Sequence, residues 1–327
     1  MLAFGPVPSR RLGKSLGINN IPAKICSYSC VYCQLGRTVK LKVKRRGFHN
    51  PEKMFEIVKE KVDAAKARVE EIDYLTFVPD GEPTLDASLG KEIDLLRQLK
   101  IPIAVLTNAS LMWREDVRED LLGADYVSLK VDAVSENLWR RVDRPHGSLT
   151  TKNILEGIVD FSKEFKGITV TETMLIDNID YTDELERIVD FLSEVDPNKA
   201  YVAVPTRPPA EDWARPAGEA AVNEAFQVFA RKLGYRRIEY LIGYEGNAFA
   251  FTGNIEEDLL SIMSVHPMRE EGVKELLKKA NSDWAVVEKL LVEGKLIELE
   301  YQSHEYLMRK LPSRLDRQND RENVTKP

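Results

Sequence analysis

From about residue 50 the chain alternates helix-period and strand-period segments, and no other feature limits its fold as much. MFEIVKEKVDAAKARVEEI (54–72) spaces its apolar residues three to four apart, as an amphipathic helix does, and YLTFVP (74–79) reads as a short strand. The alternation continues with a helix over 86–100, a buried strand over 101–108, a helix over 111–122 and a strand over 126–133. It runs on with a helix over 149–165, a strand over 168–175, a helix over 181–195, a strand over 200–205 and a helix over 219–233. With a first strand over 16–21 this makes about six βα steps. Such a repeat implies a parallel sheet with helices outside it, either open and doubly wound or curved into a full or partial barrel. Ligands of either form sit at the C-terminal ends of the strands.

After Gly253 the pattern changes. RIEYLIGYEGNAFAFTG (237–253) reads as a hairpin turning at Glu245-Gly246-Asn247. Three short helices then fall over 255–265, 269–280 and 283–294, and a strand, polar turn and strand over 296–311. That is the order of a winged helix, a variant of the helix-turn-helix. We therefore expect a core domain over 1–253, a winged-helix-like domain over 254–312 and a polar, disordered tail over 313–327. The 327 residues suffice for one large and one small domain, and 43% apolar content excludes global disorder. No apolar run approaches the ~20 residues of a membrane span, and the opening segment lacks the apolar stretch of a secretory signal. The expected location is cytoplasmic. A net charge of −6 argues against a general nucleic-acid coat.

All three cysteines, Cys26, Cys30 and Cys33, lie in one loop directly after the first strand. A low, odd count argues against a disulfide framework. Thiolates are the standard ligands of iron–sulfur clusters, and three of them hold three irons of a cubane while leaving the fourth open to a ligand. The competing reading is a structural zinc with His49 or His146 as fourth ligand, although zinc sites usually bring two separated pairs.

The spacing C-x3-C-x2-C, with Tyr32 just before the third cysteine, resembles the signature of radical S-adenosylmethionine (SAM) enzymes. GPVPSRRLGKSLGIN, CSYSCVYCQLG and RVDRPHGSLT are similar to the subgroup related to the tRNA wyosine-base synthases. The resemblance covers about residues 1–250 and implies a partial (β/α)6, TIM-like barrel. It implies one [4Fe–4S] cluster on Cys26, Cys30 and Cys33, whose open iron chelates the methionyl part of SAM. Asp80-Gly81-Glu82-Pro83-Thr84 stands where the family carries a Gly-Gly-Glu-like motif, so Gly81 and Glu82 are expected to hold the methionyl ammonium. The resemblance to such a barrel puts Tyr32, Asn108, Ser128, Lys130, Asp132 and Thr171 around the cofactor, with Thr107 and Glu172 as further polar residues of the same strands. Ser128, Lys130 and Asp132 share one face of a strand by alternation. Lys130 would then meet the SAM carboxylate, and Asp132 a ribose or the substrate. The segment ending Val204-Pro205-Thr206-Arg207-Pro208 is expected beside the adenine or the substrate.

Arg10 and Arg11, and likewise Arg141, Arg144 and His146, are placed to reach the barrel mouth and hold an anionic group, or else are ordinary surface charge. From Arg37 to Arg46 there are six cations in ten residues, reading as a short strand with one charged face. That face suits RNA phosphates or an acidic electron donor such as flavodoxin or ferredoxin. With no further cysteine there is no auxiliary cluster, which disfavours the Cys-rich peptide-modifying members and, for lack of a second set, wyosine synthesis itself. The preferred reading is a radical SAM enzyme forming a 5′-deoxyadenosyl radical that abstracts hydrogen from a substrate, first a nucleoside in RNA and otherwise a protein. The individual catalytic residues are not identified by this reading. The competing reading is an iron–sulfur or zinc redox-sensing regulator that binds nucleic acid or protein through its winged helix.

Overall fold

A computed structural model describes residues 2–38 and 40–310. The chain opens with an antiparallel pair, β1 (Ala3–Ser9) and β2 (Gly13–Ile18). The cysteine loop follows β2 and leads to α1 (Pro51–Ala67), whose N-cap Asn50 accepts the Lys53 N–H at 2.8 Å. Next come β3 (Tyr74–Phe77), α2 (Leu89–Leu96), β4 (Ile103–Thr107), α3 (Glu115–Leu121) and β5 (Tyr126–Lys130). Two helices, α4 (Glu136–Val142) and α5 (Thr151–Glu164), precede β6 (Ile168–Met174). The repeat ends with α6 (Thr182–Val195), β7 (Lys199–Ala203), α7 (Glu219–Leu233) and β8 (Ile238–Leu241).

The eight strands pair in chain order, β1 to β8, and every pair from β2 onward is parallel. The order does not close on itself, so the sheet is an open, partial TIM-like barrel. Period-two alternation divides its two faces. Leu16, Ile18, Leu75, Phe77, Ile103, Val105, Val127, Leu129, Ala200 and Val202 point outward into the main core with the helices. Tyr126, Val170, Tyr201, Ala203 and Leu241 form a second, inner cluster. Leu12, in the turn between β1 and β2, packs into that inner cluster, so this turn plugs the barrel from within. Gly17 lets the Phe4 ring lie on β2, since a Cβ there would stand 2.0 Å from Phe4 Cζ.

The C-terminal part comprises α8 (Ile255–Val265), β9 (Met268–Arg269), α9 (Glu270–Lys279), α10 (Ala285–Val292), β10 (Leu296–Tyr301) and β11 (His304–Arg309). Its three strands form an antiparallel sheet in the order β10-β11-β9. Its core holds Leu259, Ile262, Met263, Val273, Leu276, Val287 and Leu290, together with Phe4, Val7 and Phe249 of the preceding part.

Several expectations need correction. β1 was not anticipated, because AFGPVPS carries Gly and Pro and no alternation. The hairpin over 237–253 does not form. Only β8 is a strand, and its second half leaves the sheet so that Ala250 N–H donates to Pro6 O at 2.9 Å. The basic run over 37–46 is not a strand either. Among its described residues only Arg46 makes a bridge, to Asp86. Its cations serve separate partners: Arg37 and Arg144 pair with Glu211, and Arg45 pairs with Asp116 and Asp120. The expected tail lies outside the described residues, as do the last two residues of the expected small domain.

Candidate active site

The cysteine loop lies at the C-terminal end of β2, where a parallel sheet presents its ligands. Three neighbours hold it there. Gly81, just after β3, approaches so closely that a Cβ on it would stand 1.8 Å from Ile25 O, and Glu82 N–H donates to that same carbonyl at 3.0 Å. Asn108, just after β4, donates to Ser27 Oγ at 3.0 Å and to Cys26 Sγ at 3.5 Å. The segment after α4 receives the loop's backbone: Val31 N–H donates to Val142 O at 2.9 Å, and His146 N–H to Ser27 O at 2.9 Å. Asp143 accepts from Cys30 Sγ at 3.3 Å and from Tyr32 Oη at 3.2 Å.

Cys26, Cys30 and Cys33 line a cavity of about 350 Å³. Of the other expected site residues, Tyr32, Gly81, Glu82, Asn108, Ser128 and Lys130 line it as well. Tyr32 presents its ring, with Lys130 Nζ 4.8 Å from the centroid, while its hydroxyl turns away to Asp132. Glu82 is buried. Its Oε1 accepts from Thr84 N at 3.1 Å, Thr84 Oγ1 at 2.6 Å and Thr107 Oγ1 at 2.6 Å, and Oε2 from Asn108 N at 2.8 Å. Burial raises its pKa, and those donors hold the rise in check. Lys130 donates to Glu172 Oε1 at 2.9 Å, and Arg11 pairs with the same carboxylate while donating to Ser128 Oγ at 3.3 Å. Glu172 is buried, and the two cations beside it hold its carboxyl below the usual range.

Two expected residues are not in the cavity. Asp132 is buried beneath it, accepting from Tyr32 and from Met174 N at 2.8 Å. Thr171 faces the opposite side of β6. The register pairs Lys130 with Glu172, so Glu172 and Met174 look inward and Thr171 does not. Of the two polar residues Thr171 and Glu172 on that strand, the register brings Glu172 to the cavity. Arg10 and Arg11 line the cavity, whereas Arg141, Arg144 and His146 do not. His266, Glu245 and Gln34 line it too and carry no signature in the sequence. Arg207, expected beside the ligand, lines it as well.

Among the described residues no three His, Cys, Asp or Glu side chains converge tightly enough to hold a single metal ion. The three thiols instead open together onto the cavity, and three thiolates are a donor set that an iron–sulfur cluster takes. Burial pushes the Cys26 thiol up to about 12, with Glu82 adding to the rise, and burial raises Cys30 as well. Such thiols ionise when a cationic centre is bound to them.

The radical SAM superfamily profile matches residues 20–192. The chain belongs to this superfamily. A radical SAM protein accordingly has SAM and a [4Fe–4S] cluster as its cofactors. The UPF0026 protein of Methanocaldococcus jannaschii is 51% identical over 314 residues, covering 96% of this chain and 97% of that one. Streptococcus suis SuiB bound to precursor peptide SuiA is structurally similar, with a TM-score of 0.52 and 15% identity. The match covers 69% of this chain and 49% of SuiB. TYW1 with a lysine-pyruvate adduct is similar with a TM-score of 0.51 and 18% identity, covering 66% of this chain and 73% of that one. At such identities these two structures speak for the fold alone. No helix among the described residues is long and apolar enough to cross a membrane.

Proposed function

We propose that Cys26, Cys30 and Cys33 hold the single [4Fe–4S] cluster of this radical SAM enzyme, and that the cavity beside them is its reaction chamber. The observation that carries this reading is the opening of all three thiols onto one cavity with Glu82, Asn108, Ser128 and Lys130. A cluster held there would supply one electron for reductive cleavage of the SAM sulfur–C5′ bond, which would give methionine and a 5′-deoxyadenosyl radical able to abstract hydrogen from the substrate.

The chain's own residues position and enclose. Gly81 sets the cysteine loop against the end of β3. Glu82 Oε2 has a single donor among the described residues, so it keeps acceptor capacity for the methionyl ammonium. Lys130 and Ser128 are the groups for the methionyl carboxylate. Asp132 and Thr171 have no contact role here. Val265 and His266, at the end of α8, line the cavity from above and exclude water.

We assign residues 1–253 to the radical SAM core and residues 254–310 to a winged-helix-like unit, on its helix order and three-stranded sheet. Lys289 of α10 pairs with Glu256, and Lys295, just before β10, pairs with Glu256 and Glu293. This favours a role in covering the barrel over reading phosphates. The electron donor is a cytoplasmic flavodoxin or ferredoxin. Exposed Lys40, Lys44 and Arg46 next to the cysteine loop suit an acidic partner. The substrate placed first is a nucleoside in RNA, on the resemblance of the N-terminal motifs to wyosine-base synthases.

The test is anaerobic reconstitution, iron and sulfide counts per chain, and assay of 5′-deoxyadenosine after adding SAM and a strong reductant. The expected result is one four-iron cluster per chain with 5′-deoxyadenosine formed, both lost in Cys30→Ala. Bound zinc, or a cluster without SAM cleavage, overturns the proposal.

A further inference from the structure

The charges where the barrel meets the C-terminal helices do not balance. Arg10 donates through NH1 to Leu241 O at 2.6 Å and Gly243 O at 3.4 Å. No carboxylate among the described residues lies within ion-pair distance of it, and Glu172 and Glu245 act on it only from farther away. Arg207 donates through NH1 to Gln34 Oε1 at 2.7 Å, and through NH2 to Glu245 and to the His266 ring at 3.1 Å. Its Nε is buried and has no partner among the described residues. Glu245 also lies 2.6 Å from His266 Nε2. Burial and the neighbouring Arg207 bring His266 down to about 4, so it is neutral at pH 7. The same two causes bring Arg10 to about 10, so it remains charged. Arg207 thus has the Glu245 carboxylate, and the positive charge of Arg10 is uncompensated in a largely buried place. Desolvating an unpaired charge is costly, and an anion bound there removes the cost.

We propose that Arg10 and Arg207 form an oxyanion subsite in the reaction chamber, taking a carboxylate or phosphate group of the substrate. Both line the cavity onto which the cysteines open. The unspent N–H donors of Arg10 give the planar, multiple donation that such groups accept, and the guanidinium charge of Arg207 adds to the attraction. The subsite is distinct from Lys130 and Ser128, which serve the methionyl carboxylate. This inference rests on reading the cavity as the reaction chamber.

The test uses the full reconstituted chain and two probes, inorganic phosphate and succinate. Each is titrated by calorimetry with and without saturating SAM, into wild type, Arg10→Gln, Arg207→Gln and the exposed-site control Arg141→Gln. The expected result is saturable binding of at least one probe that persists with SAM present. It weakens about tenfold or more in either cavity variant and is unchanged in the control. The tighter probe identifies the substrate group as phosphate or carboxylate. Without any probe, Arg10→Gln is expected to melt above wild type, since it removes the unpaired cation, whereas a purely structural arginine would melt lower on replacement. Absence of saturable binding, or equal binding in Arg10→Gln, overturns the inference. So does abolition by SAM, which would assign both arginines to SAM itself. If wild type forms 5′-deoxyadenosine but binds neither probe, only this inference fails. If it forms none, the functional reading fails first.

Discussion

Gly81 shows how one residue governs the cluster loop. The signature explains a glycine by close approach to a cofactor, but the approach the structure shows is to the chain itself, at Ile25 O. A methyl group there forces the loop or β3 to move, at ~1–3 kcal/mol by the usual cost of overpacking. Gly81→Ala is therefore expected to lower the melting temperature and to leave reconstituted protein with well under one cluster per chain. Wild-type iron content and melting in that variant would show that the loop tolerates the methyl. That the cysteines, Glu82, Asn108, Ser128 and Lys130 line one cavity was legible at this scale, because each lies in a motif, at a strand end or on one alternating face of a strand. Which side of β6 enters the cavity was not legible, for a definite reason. In ITVTETM polar residues occupy both alternating sets, so the strand alone does not show which set faces inward.

Helix α2 carries an acid where its buried face demands an apolar residue. Glu92 is buried, bonded by Asn20 Nδ2 at 3.2 Å, and its Oε1 has no partner among the described residues. Burial, reinforced by Asp86, raises its pKa from 4.5 to about 8. The sign follows from linkage. A carboxyl whose folded-state pKa is raised favours the folded state fully below its unfolded pKa, and that contribution is lost as pH rises through the folded value. Stability is thus expected to fall between pH 4.5 and about 8, and Asp80 and Asp86, each raised to about 6, add to the trend. Glu92→Gln should melt close to wild type at the acid end and above it at the alkaline end, by up to a few kcal/mol. Melting curves of the two proteins that stay parallel across this range would refute the assignment. The helix pattern itself was plain in the sequence. The desolvation of its buried acid was not, because Asn20 and Asp86 reach it from other segments.

At the scale of the whole molecule, the C-terminal unit and the barrel share a core. Phe4, Val7 and Phe249 are 3%, 7% and 1% exposed, and their cover is α8 and its neighbours. Tyr301 and Tyr306 donate to Pro205 O at 3.2 Å and Thr206 O at 3.0 Å, and Gln34 donates to Val265 O at 2.6 Å. A chain ending at Gly253 uncovers three large side chains, a loss of ~4–9 kcal/mol at 1.5–3 kcal/mol for each. That is comparable to the whole stability of a typical domain. The truncated chain is expected to aggregate, or to melt far below the full one in a thermal scan. A soluble chain ending at Gly253 with unchanged melting would mean that the two parts fold independently.

The sequence by itself determined the succession of βα units, the three-cysteine loop and the pole of the sheet at which it stands. These are local properties, carried by periodicity and by spacing within one loop. The tertiary structure alone decided which strand face looks inward, that the turn between β1 and β2 plugs the barrel, and that the C-terminal unit roofs the cavity. It also decided which cations are neutralised: Arg37 and Arg45 meet carboxylates, while Arg10 meets only carbonyls. Pairing and desolvation depend on neighbours distant in the chain, and 231 positions separate Arg10 from the carbonyl it bonds.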